Sequence, residues 1–189
     1  MNDKNSEYEA NYRSALSFLK LGIKEQALDC LDRAYAQVPN DKKSGSNTVY
    51  LDILDTLAIL SFERGEKEKV GKLIGEGLSI KKNHADLLFM RSLLLMDERR
   101  YDEMLESIIH YYLSITDDDV ALYNYKYVHE GALREVHDNL FPTAYRNAFQ
   151  HEHIREIIFN LAKTTQNQWL IKACELMASI DKTRSNLEN

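Results

Sequence analysis

The sequence predicts an all-α fold, a solenoid of antiparallel helical hairpins that ends in a degenerate C-terminal helical cap. Two observations carry this expectation. Only two prolines and seven glycines stand against 44% hydrophobic residues, with Leu, Ala, Glu and Lys abundant, which favours long helices over a turn-rich sheet. Small residues and turn residues also recur at a fixed interval over residues 8–118, as they do in repeat arrays. A length of 189 residues suits a single domain, 1–189, with one continuous core.

The first hairpin spans 8–41, with Ala15 early in its first helix, Gly22 at the turn, and Ala27, Leu31, Ala34 and Pro39 following. The second, 51–84, places Ala58, Gly65, Val70, Ile74 and Gly77 equivalently, with Leu54 and Leu57 as large apolar knobs and no closing proline. The third, 85–118, begins 34 residues after the second and carries Ser92, Tyr101, Met104 and Ile108, while Arg99 replaces the turn glycine and Tyr111 the last small residue. One hairpin cannot bury both of its faces, so each must stack on the next, and small side chains are needed where backbones meet. Residues 42–50 interrupt the spacing and predict an extended loop, begun by Pro39, Asn40 and the neighbourhood of Gly45, with Ser46, Asn47 or Thr48 as alternative caps for the next helix. Arg64 and the Arg99-Arg100 pair fall at the ends of first helices, where cations complement exposed carbonyls.

Residues 119–140 read as one long helix with Val120, Tyr123, Tyr127, Ala132 and Val136 on one face. Leu140-Phe141-Pro142 should break it, and Pro142 is placed to open a short helix over 143–150. The hairpin grammar returns over 154–187, with Ile157, Ile158 and Leu161 in one helix and Leu170, Ala173, Met177 and Ile180 in the other. Lys172, Glu175, Asp181 and Lys182 supply the polar outer face that an end cap needs, and Trp169 should anchor the cap on the preceding helix.

The turn glycine, the small residues and the closing proline of 8–41 match the diagnostic pattern of the tetratricopeptide repeat, which the later copies follow in phase. The chain thus resembles tetratricopeptide-repeat proteins, and the resemblance implies a right-handed solenoid that binds another polypeptide. Residues 57–108 also look like the helical repeats that follow the catalytic domain of bacterial family 2 glycosyltransferases. That likeness implies an accessory or dimerisation module of a carbohydrate-modifying system as the alternative function. The sugar-nucleotide and metal chemistry of that family lies in a separate α/β domain, which this chain does not contain.

A net charge of -6 and a pI near 5.5 argue against nucleic-acid binding, which rests on clustered Lys and Arg. No stretch approaches a spanning helix and the N-terminus is polar, so a cytoplasmic protein without a membrane partner is expected. Cys30 and Cys174 sit in apolar helical patterns and read as core side chains. His151, Glu152 and His153, with His129 and His137 upstream, form the one cluster that suggests metal. Alternate residues point about 200° apart on a helix, so His151 and His153 cannot share an ion there. Gly71, Gly75 and Gly77 match no phosphate loop, and the tyrosines at 111, 112, 123, 125 and 127 read as packing residues. No nucleophile, triad or cofactor motif can be assembled, and no enzyme activity, metal or cofactor is expected.

In tetratricopeptide arrays the first helices line the concave surface. By that resemblance the partner-binding groove is Tyr12, Leu16 and Leu19, then Asp52, Asp55, Ile59 and Phe62, then Asp86, Phe89, Leu93 and Met96, with Glu9 beside them. Its floor is apolar, and Asp52, Asp55 and Asp86 give it an acidic rim. The positions that clamp a terminal carboxylate in chaperone adaptors of the family hold Tyr12, Leu16, Thr56, Asp86 and Met90 here, which removes that speciality. The expected partner is an apolar or amphipathic segment carrying Lys or Arg. The alternative occupants are a second copy, giving a homodimer, and the chain's own C-terminal helix.

Overall fold

The computed structural model describes residues 4–115 and 122–187. Among the described residues the protein is all-α, without strands, and its helices pack largely as sequential antiparallel pairs. None of the described helices is long and apolar enough to cross a membrane. The chain divides into two compact units, Met1–Lys82 and Asn83–Asn189.

The first unit contains α1 (Lys4–Lys20), α2 (Lys24–Gln37), α3 (Thr48–Glu63) and α4 (Lys67–Ile80). α1 pairs with α2, α3 pairs with α4, and α2 lies against α3. Ala15, Ala27, Ala34 and Ala58 are fully enclosed, as are Leu31, Leu54, Leu57 and Val70, so small side chains stand where the helices approach most closely. α2 ends because Val38 turns extended ahead of Pro39, whose ring disfavours helix in its predecessor. Asn47 caps α3 by accepting the Tyr50 N–H at 3.2 Å, so helix resumes at Thr48, inside the loop expected over 42–50. A carboxylate clamps that loop. Glu76 of α4 accepts the Tyr35 hydroxyl of α2 at 2.5 Å and the Tyr50 hydroxyl of α3, while Lys43 lies 5.4 Å and 5.9 Å from the two ring centroids.

The second unit contains α5 (Ala85–Asp97), α6 (Tyr101–Ser114), α7 (Glu130–Glu135), a π turn (Val136–Leu140), α8 (Phe141–Asn147), α9 (His151–Thr165) and α10 (Gln168–Leu187). α5 pairs with α6 and α9 with α10, and α8 packs on α6. Residues 119–140 are not one long helix. The chain leaves helix at Asn124, where φ is 47°, and resumes at Glu130 with the His129 imidazole accepting the Ala132 N–H; Val120, and the end of the third repeat at 116–118, lie outside the described residues. Pro142 does not break the run either. The five residues before Phe141 widen to π geometry, which moves the hydrogen-bond ladder past the residue that cannot donate. The short helix accordingly spans Phe141–Asn147 rather than 143–150, and α9 begins at His151 instead of 154. Within α9, Ile158 is fully buried, whereas Ile157 is 37% exposed and drops out of the expected core. Trp169 stacks on Tyr112 of α6, with ring centroids 6.1 Å apart and planes 13° from parallel, so it ties the cap to α6.

The turns of the first three hairpins share one geometry. After α1, α3 and α5 the chain passes through the left-handed region at Gly22 (φ 73°), Gly65 (φ 75°) and Arg99 (φ 58°). In each case the next residue donates its N–H five residues back, as in Ile23 to Phe18, Glu66 to Ser61 and Arg100 to Leu95, the bond that closes a helix C-terminus. Only a side chain at that position is strained, so Arg99→Gly is expected to stabilise the protein by about 1 kcal/mol. Chemical denaturation checks this, and a midpoint that falls would mean the Arg99 side chain contributes more than its backbone strain costs.

Candidate functional site

In the first unit α1 touches α3, and the Tyr12–Asp52 pair joins them. Leu16 and Leu19 of α1 and Ile59 and Phe62 of α3 are half-buried. Tyr12 is 7% exposed and donates its hydroxyl to Asp52 Oδ2 at 2.6 Å, a charge-assisted bond that ties the two helices. Burial, reinforced by Asp52, holds the Tyr12 phenol well above its ordinary range. Asp55 is fully buried. Of the acidic rim expected in this unit, only Asp52 reaches solvent, and it does so while bonded to Tyr12.

In the second unit Asp86 is 2% exposed and Phe89 is 6% exposed, and neither forms an open rim or floor. The chain itself covers them. Asp86 accepts the main-chain N–H groups of Lys126 and Tyr127, each at 2.8 Å. The Tyr127 ring stacks on Phe89 with centroids 4.3 Å apart and planes 15° from parallel, and the Tyr111 hydroxyl donates to the Tyr127 carbonyl. His84, which caps α5 by accepting the Leu87 N–H, meets Tyr123 and Tyr125 edge-on at 5.5 Å and 4.9 Å. A segment expected to be helical thus lies non-helical across α5, and two of the residues assigned to a partner hold it there. Leu93 and Met96, farther along α5, remain half-buried. The alternation of tyrosine at 123, 125 and 127 was the available signal, since a period of two marks extended chain and not helix.

His151 packs edge-on against Tyr145 at 6.1 Å, while His153 lines a separate groove between α6 and α9. Near the cap, His137 sits 6.0 Å from Trp169, and burial lowers its pKa below the ordinary imidazole value. Lys172 lies over the Trp169 ring at 4.3 Å, which places a cation on the indole face. Cys30 is buried and Cys174 partly so, both as free thiols. No protein-family model matches the chain, and no curated protein matches it significantly.

Proposed function

We propose that the chain is a non-catalytic interaction scaffold of the tetratricopeptide type, with right-handed stacking of its hairpins and a peptide or helix bound on the α1 and α3 face. The observation that carries this reading is that Leu16 and Leu19 of α1 and Ile59 and Phe62 of α3, each pair one turn apart on two helices in contact, are only half-buried. The repeated left-handed turns at Gly22, Gly65 and Arg99 support the repeat assignment. Four incompletely buried large apolar side chains on two helices in contact suit an apolar or amphipathic segment, and Asp52 on α3 favours one that carries Lys or Arg.

A photo-reactive phenylalanine at Ile59 tests the reading, with the same probe at exposed Lys72 of α4 as the control. Cross-linking in cells followed by mass spectrometry is expected to return an apolar, basic segment at Ile59 and not at Lys72. Phe62→Ala is expected to weaken the recovered complex by roughly thirtyfold, the loss typical of a truncated aromatic anchor. Equal cross-linking from both positions, or an unchanged affinity, would move recognition off this face. A cross-link to a second copy of the chain would instead make α1 and α3 a dimer interface.

A further inference from the structure

Two helices of the second unit flank a groove that the described residues do not fill. Asp102, in the first turn of α6, accepts the N–H groups of Phe149 and Gln150 at 3.3 Å and 2.9 Å, immediately ahead of α9. At the other end Asn167, just past α9, donates from Nδ2 to the Tyr112 carbonyl of α6 at 2.8 Å. The helices therefore run parallel and are tied at both ends, with a groove of about 480 Å³ between them.

The walls of this groove are two matching stripes. α6 contributes Asp102, Glu106, Ile109 and Leu113, spaced by four, three and four residues, which is one face of a helix. The α9 side contributes Gln150, Ile154, Ile157 and Leu161 at the same spacing. Eleven residues at 1.5 Å per residue make each stripe about 16 Å long, or three helical turns. Each stripe is polar where its helix begins and apolar where it ends.

Among the described residues no Lys or Arg lines the groove, and the charged ones that do are carboxylates. Glu103 is engaged by Arg100 on its outer side, but Glu106 is exposed and forms no ion pair among the described residues. Phe149 is 94% exposed next to that acidic end, and Ile157 is 37% exposed farther along. The α6 and α9 N-termini meet at the acidic end and bring the positive poles of two helix dipoles with them. A ligand helix would therefore place its negative C-terminal pole there.

We infer that the groove between α6 and α9 is a second recognition surface, fitted to an amphipathic helix of another protein. That helix lies antiparallel to α6, with a Leu or Ile stripe against Ile109, Leu113, Ile157 and Leu161 and a Lys or Arg of its last turn on Glu106. The surface is separate from the α1 and α3 face, and either can fail without the other.

The test uses the full chain and three fluorescein-labelled probe peptides of about four helical turns, with leucines at i, i+4, i+7 and i+11 on an Ala and Gln background. They carry two lysines in the last turn, two glutamates in the last turn, or two lysines in the first turn. By fluorescence anisotropy, the peptide with lysines in its last turn is expected to bind about tenfold more tightly than either of the others. Ile157→Asp should weaken it by about tenfold or more, since it places a charge in the apolar half. Glu106→Lys should reverse the preference between last-turn lysine and last-turn glutamate. A diazirine on the probe, used with the unmodified chain, should cross-link to α6 and α9 whether or not either variant folds.

The inference is overturned if no probe binds, if cross-links fall elsewhere, or if both lysine peptides bind equally. A Glu106→Lys protein that folds and keeps the original preference also overturns it. So does a dimer, seen by sedimentation, that Ile157→Asp dissolves, because the occupant would then be a second copy.

Discussion

Asp86→Ala is expected to destabilise the protein by about 3 kcal/mol, because two charge-assisted bonds are lost and two main-chain N–H groups are left without their acceptor. The carboxylate is 2% exposed and bonds the Lys126 and Tyr127 amides at 2.8 Å, so water cannot readily replace it. The stacking of Tyr127 on Phe89 depends on the same anchorage. A loss of this size lowers the thermal midpoint by roughly 10 °C. Hydrogen exchange then identifies the cause, since the Lys126 and Tyr127 amides should lose protection ahead of the α5 and α6 interiors. Asp86→Asn keeps one acceptor oxygen and should fall between Ala and the parent. Unchanged exchange at both amides in Asp86→Ala would mean that the segment is held by its tyrosines and not by the carboxylate.

Alkaline unfolding is the second large effect expected. Burial raises the phenol pKa of Tyr12, Tyr50, Tyr111 and Tyr112 well above the ordinary value of 10.0, with Asp52 adding to it at Tyr12, Glu76 at Tyr50 and Asp86 at Tyr111. Tyr35, on Glu76, is pushed up to about 12. In the unfolded chain these phenols release protons near pH 10, while the folded chain retains them, so the folded state binds more protons above that pH. Stability is therefore full below pH 10 and falls as pH rises toward and through the folded values. Cooperative unfolding is expected at about pH 11, with the loss of helical ellipticity coinciding with the rise of tyrosinate absorbance. Tyrosines that titrate near pH 10 while the helical signal persists would contradict this.

Tyr112 separates ionisation from hydrogen bonding. Its side chain is fully buried and its hydroxyl has no hydrogen-bond partner among the described residues. Tyr112→Phe should therefore cost little at neutral pH, where it removes an unsatisfied buried polar group, and should delay the alkaline transition.

The hairpin register was legible in the sequence wherever the cause is local. Gly22 and Gly65 mark turns because those turns require positive φ, and Arg99 occupies the same conformation, so a turn stands there although no glycine marks it. Ala15, Ala27, Ala34 and Ala58 were recognisable because neighbouring helices leave no room for larger side chains. The long helix expected over 119–140 failed for a different reason. Its helical face was counted from Val120, Tyr123, Tyr127, Ala132 and Val136, but the Lys126 and Tyr127 amides find an acceptor in Asp86, some 40 residues earlier. A main-chain donor satisfied by a distant side chain no longer needs the helical ladder.

The sequence by itself determined the helical class, the hairpin turns and most of the small-residue contacts, because backbone conformation and period depend on residues a few positions apart. Tertiary structure alone decided that Asp55 is buried, that Asp86 and Phe89 hold the chain's own segment, and that Pro142 is carried through a π turn. It also decided that α6 and α9 are tied apart at Asp102 and Asn167. Each of these depends on which side chain meets which backbone group across dozens of residues, and helical periodicity places a residue on a face without specifying what that face will meet.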